Sequence, residues 1–222
     1  MEYQDAERIA LEVMVANGCH TVILYGSWPR GQATADSDVD VLCVREEGKA
    51  FRDARVAAEG VYIDAFIYPR ADVASPDLPL MRVLGGVVLR EVDGLGTGLL
   101  TQLQALYARG PAPMPDDQRR AVVLWASKML ARIRGQRDLD ANYRRMQLSM
   151  QCIEDYFALR GKWFEGPKHA FAWLRQHDAG AYRRFVHAAL AGASDDAFVE
   201  LVQAVYGPYV EPATQGAGFT TR

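Results

Sequence analysis

No apolar run in this chain approaches the roughly 20 residues that a membrane-spanning helix requires, so no such helix is expected. Cysteine is scarce: Cys19, Cys43 and Cys152 are odd in number and far apart. They form neither a disulfide framework nor a CxxC metal site, which points to a reducing, cytoplasmic setting. There is no basic excess either. Lys and Arg number 25 against 28 Asp and Glu, a net charge of -3, whereas a protein that coats nucleic acid needs a clear surplus of cations. The most basic stretch, "RRAVVLWASKMLARIRGQR", reads as a solvated helix face with room for no more than a local groove. Repeats and low-complexity segments are absent. The opening "MEYQDAERIALEVM" is acidic and amphipathic, a helix rather than a signal peptide.

What the chain does have is an ordinary globular balance, half hydrophobic and 24% charged over 222 residues. That is enough for one large domain or two small ones. Residues 5–17 set Ile9, Val13 and Ala16 at helical spacing, and Gly18 supplies a stop. "TVILY" (21–25) is a short β-branched strand. "DVDVLCV" (38–44) and "VYIDAFIY" (61–68) alternate as strands do, and "GGVVLREVDG" (85–94) reads as another. Near "ARGPAPMPDD" (108–117) three prolines and a glycine mark a linker. Beyond it the pattern is helical. Val122, Trp125, Ala126, Met129 and Ile133 make one stripe; Tyr143, Met146, Met150, Ile153 and Phe157 make another. Short helices are expected at 167–177, 180–191 and 195–206, the last capped by Ser194 and stopped by Gly207. The tail from 208 shows no periodicity. The expected architecture is α/β (α+β): a small mixed sheet with helices over residues 1–110, then a helical bundle over 111–222.

The chemistry gathers at "GSWPRGQATADSDVD" (26–40). Residues i and i+2 of a strand point the same way, so Asp38 and Asp40 present two carboxylates to one place. Like charges so close repel unless a cation lies between them, and Mg²⁺ favours a few carboxylates plus phosphates and water. Asp64, inside another strand, adds a third carboxylate if the two strands are neighbours, enough to hold two ions. The alternative is a solvated DxD on a surface hairpin. The turn itself offers Gly26, Ser27 and Ser37, with backbone N–H groups and hydroxyls suited to an anion. Arg30 either clamps phosphates or holds the loop.

In order and spacing, "GSWPRG…SDVDV…IDAF" resembles the signature of the DNA polymerase β-like nucleotidyltransferase superfamily. The resemblance implies transfer of a nucleoside monophosphate from a nucleoside triphosphate to an acceptor (EC 2.7.7 type). It implies Mg²⁺ on Asp38, Asp40 and Asp64, and the triphosphate on Gly26 and Ser27. The helical second half is similar to that of the small bacterial branch, which includes minimal and kanamycin nucleotidyltransferases. "EDYFALRGKWFEGP" resembles a segment of the kanamycin enzyme in which the Gly-Lys-Trp lysine serves the nucleotide phosphates, which maps to Lys162. The glutamate base four residues earlier in that enzyme corresponds here to Ala158, so aminoglycoside chemistry is put in doubt. Asp64 itself, Glu154 or Asp155 are the candidate bases or acceptor contacts, the last two alternatively plain helix carboxylates. Lys168, after Pro167 at a helix start, either binds phosphate or is solvated.

The expected activity is AMP transfer from ATP, or of another NMP, to a hydroxyl of a small molecule such as an antibiotic. The alternatives are a protein or tRNA acceptor of the toxin–antitoxin kind, or a silent binding module. The resemblance also implies a homodimer with shared clefts, and Tyr156, Phe157, Trp163 and Phe164 are expected to reach a partner surface in part. His169, His177 and His187 lack metal-ligand spacing. Trp125, Trp163 and Trp173 are expected at core or interface positions, and Met146 and Met150 as core filling.

Overall fold

A computed structural model describes residues 1–210 apart from 59, 77 and 191; the expected aperiodic tail from 211 onward lies outside the described residues. The chain forms two compact units, Met1–Arg109 and Gly110–Arg222.

In the first unit α1 (Tyr3–Ala16) starts at a capping box in which Glu2 and Asp5 satisfy each other's backbone N–H groups. It stops at Gly18 in the left-handed region. Ala6, Ile9, Ala10 and Val13 form its buried face, while Ala16 is exposed. The strands are β1 (Thr21–Tyr25), β2 (Val39–Arg45), β3 (Phe51–Val56), β4 (Tyr62–Pro69) and β5 (Val87–Arg90). Between β4 and β5 lie a short α2 (Arg70–Val73) and a 3-10 turn at Leu78–Val83; α3 (Leu95–Arg109) closes the unit.

The sheet order is β3-β4-β2-β1-β5. Only β2 and β4 run parallel. Their connection is β3, which returns antiparallel along the far side of β4. A charged strand thus does the work that a crossover helix does in most parallel pairs. The sequence reading omitted β3 because "FRDARV" is almost wholly exposed and so carries no apolar alternation.

Both faces of the sheet are covered. Val22, Leu24, Val41, Cys43, Ile63, Ala65 and Ile67 pack on Ile9, Ala10 and Val13 of α1. Ile23, Tyr25, Leu42 and Val44 pack on Val73, Leu80, Val83, Leu99 and Leu103. Each fully buried aliphatic side chain here contributes about 1.5–3 kcal/mol. This two-sided burial fixes the register, since a one-residue slip would turn every core residue outward.

The second unit contains α4 (Asp116–Ile133), α5 (Leu139–Ala158), α6 (Pro167–His177), α7 (Ala179–Ala189) and α8 (Asp195–Tyr206), with a 3-10 turn at Gly207–Tyr209. Its core joins Ala126, Leu130 and Ile133 to Leu148, Cys152, Leu174, Phe185, Val202 and Tyr206. On α5 the structure corrects the expected stripe. Tyr143, Met146 and Met150 are 59%, 64% and 67% exposed, so the methionines do not fill the core. The buried face runs instead through Arg145, Leu148, Cys152, Asp155 and Tyr156. Two charged residues on that face concealed it from the apolar pattern.

Both are held by internal hydrogen bonds, although Arg145 Nε has no partner. Arg145 donates to the carbonyls of Ile133 and Gln136 at 2.7 Å each and to Asp195 Oδ1 at 2.9 Å. Asp155 accepts from Tyr206 Oη at 2.6 Å and Gln151 Nε2 at 2.9 Å. Tyr156 and Phe157 are also buried, edge-on to each other, with Phe157 edge-on to Trp173. These aromatics close their own bundle rather than a partner surface.

Burying Asp155 is costly unless its oxygens stay hydrogen-bonded. Tyr206→Phe is therefore expected to lower the unfolding free energy by about 1–3 kcal/mol. The check is a urea titration, which should show an earlier midpoint at an unchanged slope.

Candidate functional site

Strand β1 ends at Tyr25, and the chain turns through Gly26 at φ 79°. L side chains rarely adopt that conformation, and a Cβ there would also overlap Oδ2 of Asp40. Glycine is thus required both by the turn and by the carboxylate beside it. Two residues on, Trp28 is buried against the α1 side of the sheet. Its indole N–H donates to the carbonyl oxygen of Asp38 at 2.9 Å. The loop is further closed by Thr34, whose N–H donates to Ser37 Oγ at 2.8 Å. The indole therefore fixes the backbone that leads Asp38 into β2.

Asp40 of β2 lies directly opposite Asp64 of β4, and Tyr25 of β1 lies opposite Asp40 on its other side. Neighbouring strands are about 4.8 Å apart, so two carboxylates share one half-buried face. Burial pushes the Asp40 carboxyl up to about 6, with further contributions from the charges of Asp64 and Asp38. Burial and the Asp40 charge likewise raise the Tyr25 phenol. Asp64 has a cation already: Arg52 of β3 donates from Nε to Oδ1 at 2.6 Å and from Nη2 to Oδ2 at 2.9 Å. Where α1 meets the loop before β2 and the start of β4, a cavity of about 540 Å³ is bordered by Asp5, Arg8, Asp36, Ser37, Asp38 and Tyr62.

The structure places the expected site residues as follows. Gly26, Asp40 and Asp64 come together. Asp38 sits just before β2, exposed, rather than within the strand as the alternation suggested. Ser27 is half-buried beside Gly26, and the Ser37 hydroxyl serves its own loop. Arg30 donates from Nη2 to the carbonyl of Leu84 at 3.0 Å, which is the loop-holding role.

The remaining candidates belong to the second unit. Lys162 is exposed, with Nζ 4.9 Å from the Trp173 ring. Lys168 is exposed in the first turn of α6, and Glu154 is exposed on α5. Asp155 is only 4% exposed with both oxygens occupied, so it is withdrawn as a base or acceptor contact. Sequence reasoning missed Trp28 and Arg52. A tryptophan inside a glycine-rich turn was the available signal for the first; the second rides on the strand that was overlooked.

The donor set is carboxylate oxygen throughout, which suits Mg²⁺. Asp40 lies in register with Asp64 and two residues from Asp38, a gathering of negative charge that a divalent cation would neutralise. Among the described residues no group of three or more His, Cys, Asp or Glu is gathered as a metal cage; Arg52 stands on the third carboxylate. In chemistry and in pairing the residues fit the metal.

Residues 15–74, which carry the Gly26 turn and the paired carboxylates, match the nucleotidyltransferase domain family. The matched residues are the ones that carry the motif resemblance. The crystal structure of a nucleotidyltransferase-like protein from Exiguobacterium sibiricum is similar at 16% identity with a TM-score of 0.41, over 96% of this chain and 80% of that one. No curated protein sequence matches the chain.

Two outcomes are expected. Folding raises the Asp40 carboxyl from its ordinary 3.8 to about 6, so the folded chain keeps this proton longer than the unfolded one. Stability of the metal-free protein then falls as pH rises through that interval. In chelator, Asp40→Asn should melt a few degrees higher than wild type at pH 7.5 and no higher at pH 4. Gly26→Ala should displace the Asp40 carboxylate, which thermal melting would read as a loss of several degrees.

Proposed function

We propose that this chain is a Mg²⁺-dependent nucleotidyltransferase that moves AMP from ATP, or another NMP, onto a hydroxyl of a small-molecule acceptor such as an antibiotic. The observation that carries this reading is the Asp40–Asp64 pair, in register across parallel strands beside the Gly26 turn. Asp38, Asp40 and Asp64 would hold the metal. When bound, the metal ions offset phosphate charge and make the acceptor hydroxyl more acidic. The backbone of Gly26 and Ser27 receives the triphosphate where no side chain blocks its approach. The acceptor oxygen bonds to the α-phosphorus as the bond to pyrophosphate breaks, and its proton leaves to a carboxylate of the pair. Most of the rate comes from holding these groups in line.

The acid-lined cavity next to Asp38 supports a small acceptor. Its volume lies within the range of small-molecule sites, and three carboxylates against one arginine suit an acceptor rich in amines and hydroxyls. The net charge of -3 weighs against tRNA. Lys162 enters the proposal through the sequence resemblance, and Lys168 through its place at the start of α6. In an assay with labelled ATP and a panel of hydroxylated amines, Asp40→Ala and Asp64→Ala should each lose at least about a hundredfold in turnover while keeping their circular dichroism. Wild-type turnover in either variant would overturn the metal assignment.

A homodimer remains part of this reading, on a different surface from the one first expected. Leu139, Tyr143, Met146 and Met150 recur at 4-3-4 spacing along α5, and all are exposed. That spacing reads the same in both directions, so the stripe can pack antiparallel on its own copy. Sedimentation at micromolar concentration should give a dimer for wild type and a monomer for Met146→Glu. A monomeric wild type would overturn this assembly.

A further inference from the structure

Arg52 does not resemble an ordinary surface partner. It lies opposite Phe66 in the β3–β4 register, two residues along from Asp64 on the same face. Its guanidinium covers both Asp64 oxygens, and its Cζ lies 5.5 Å from the Phe66 ring centroid. Arg82 stacks on that ring too, at 3.9 Å. The Arg52 side chain is 51% exposed and that of Asp64 18%. The cation therefore approaches from solvent, on a long flexible stem, and reaches a carboxylate held in the sheet. An ion pair half open to water contributes little net stability, so separating it costs little. Leaving Asp64 with no cation at all would cost more, because Asp40 faces it directly.

We propose that Arg52 is the resident counter-cation of the carboxylate site. It neutralises Asp64 in the metal-free chain, yields that carboxylate to the divalent cation, and swings on its flexible stem to contact the incoming triphosphate. The proposal rests on the metal-site reading given above. Its consequence is coupling: metal alone must compete with Arg52 for Asp64, whereas metal with triphosphate gives the released guanidinium a new anion to bind.

Direct Mn²⁺ binding tests this without any turnover, by the electron paramagnetic resonance signal of the free ion. Wild type, Arg52→Ala, Arg52→Gln and Asp64→Ala are titrated with and without a non-hydrolysable ATP analogue. Arg52→Gln retains the stem on Phe66 and guards against a folding defect. Without nucleotide, both Arg52 variants should bind Mn²⁺ roughly fivefold more tightly than wild type. With the analogue, wild type should gain Mn²⁺ affinity and the Arg52 variants should gain much less. Mn²⁺ binding that depends on Asp64 but is unchanged or weaker in the Arg52 variants would overturn the counter-cation role and leave the metal site standing. If neither wild type nor the Arg52 variants bind Mn²⁺, both readings fall.

Discussion

The site in the first unit depends on one electrostatic constraint: two aspartates held side by side on neighbouring parallel strands. Two-sided burial locks the register that sets Asp40 against Asp64, so neither carboxylate can slip away from the other. Repulsion that cannot be relieved by movement has to be relieved by charge. Everything around the pair answers to that need. Asp40 takes up a proton more readily than a free aspartate, Arg52 sits on Asp64, and the Gly26 turn withholds a side chain from the space beside Asp40.

The second unit treats buried charge in the opposite way. Asp155 and Arg145 lie within a helical bundle, and each is held by hydrogen bonds from its own surroundings, with both Asp155 oxygens taken and only Nε of Arg145 left over. Such bonding makes these groups structural: adding a ligand would mean breaking it. The Asp40–Asp64 pair differs in access: Asp155 is only 4% exposed, whereas Asp64 is held by an arginine half open to solvent. Between two kinds of inward-facing carboxylate, the kind that solvent can reach is the one placed to take a cation.

How far the sequence alone revealed this depended on what signal each residue carried. Strict alternation around Asp40 and Asp64 made their strands and the face each takes on its own strand legible, and the glycine-serine turn showed where an anion would lie. That β2 and β4 are neighbours could not be read, because pairing is a long-range property. The strand carrying Arg52 left no trace in hydropathy, since an edge strand facing water needs no apolar face. On α5 periodicity misled: the helix has apolar residues on both sides, and the exposed set of Tyr143, Met146 and Met150 was taken as the core while Arg145 and Asp155 masked the true one. Trp28 was visible as a residue but not as a function, because its indole contacts a backbone carbonyl that no sequence motif encodes.

The exposed, charge-rich outer strand has a further bearing on how the molecule behaves in a crowded solution. An open strand edge presents unpaired backbone groups to any other extended chain, and charged side chains are a common protection against such pairing. In "FRDARV" the arginines and Asp53 supply that protection on the outer border of the sheet. Arg52 belongs to that border as well as to the site. Selection on the carboxylate cluster and selection against aggregation therefore fall on the same side chain, and a change that suits one can expose the other.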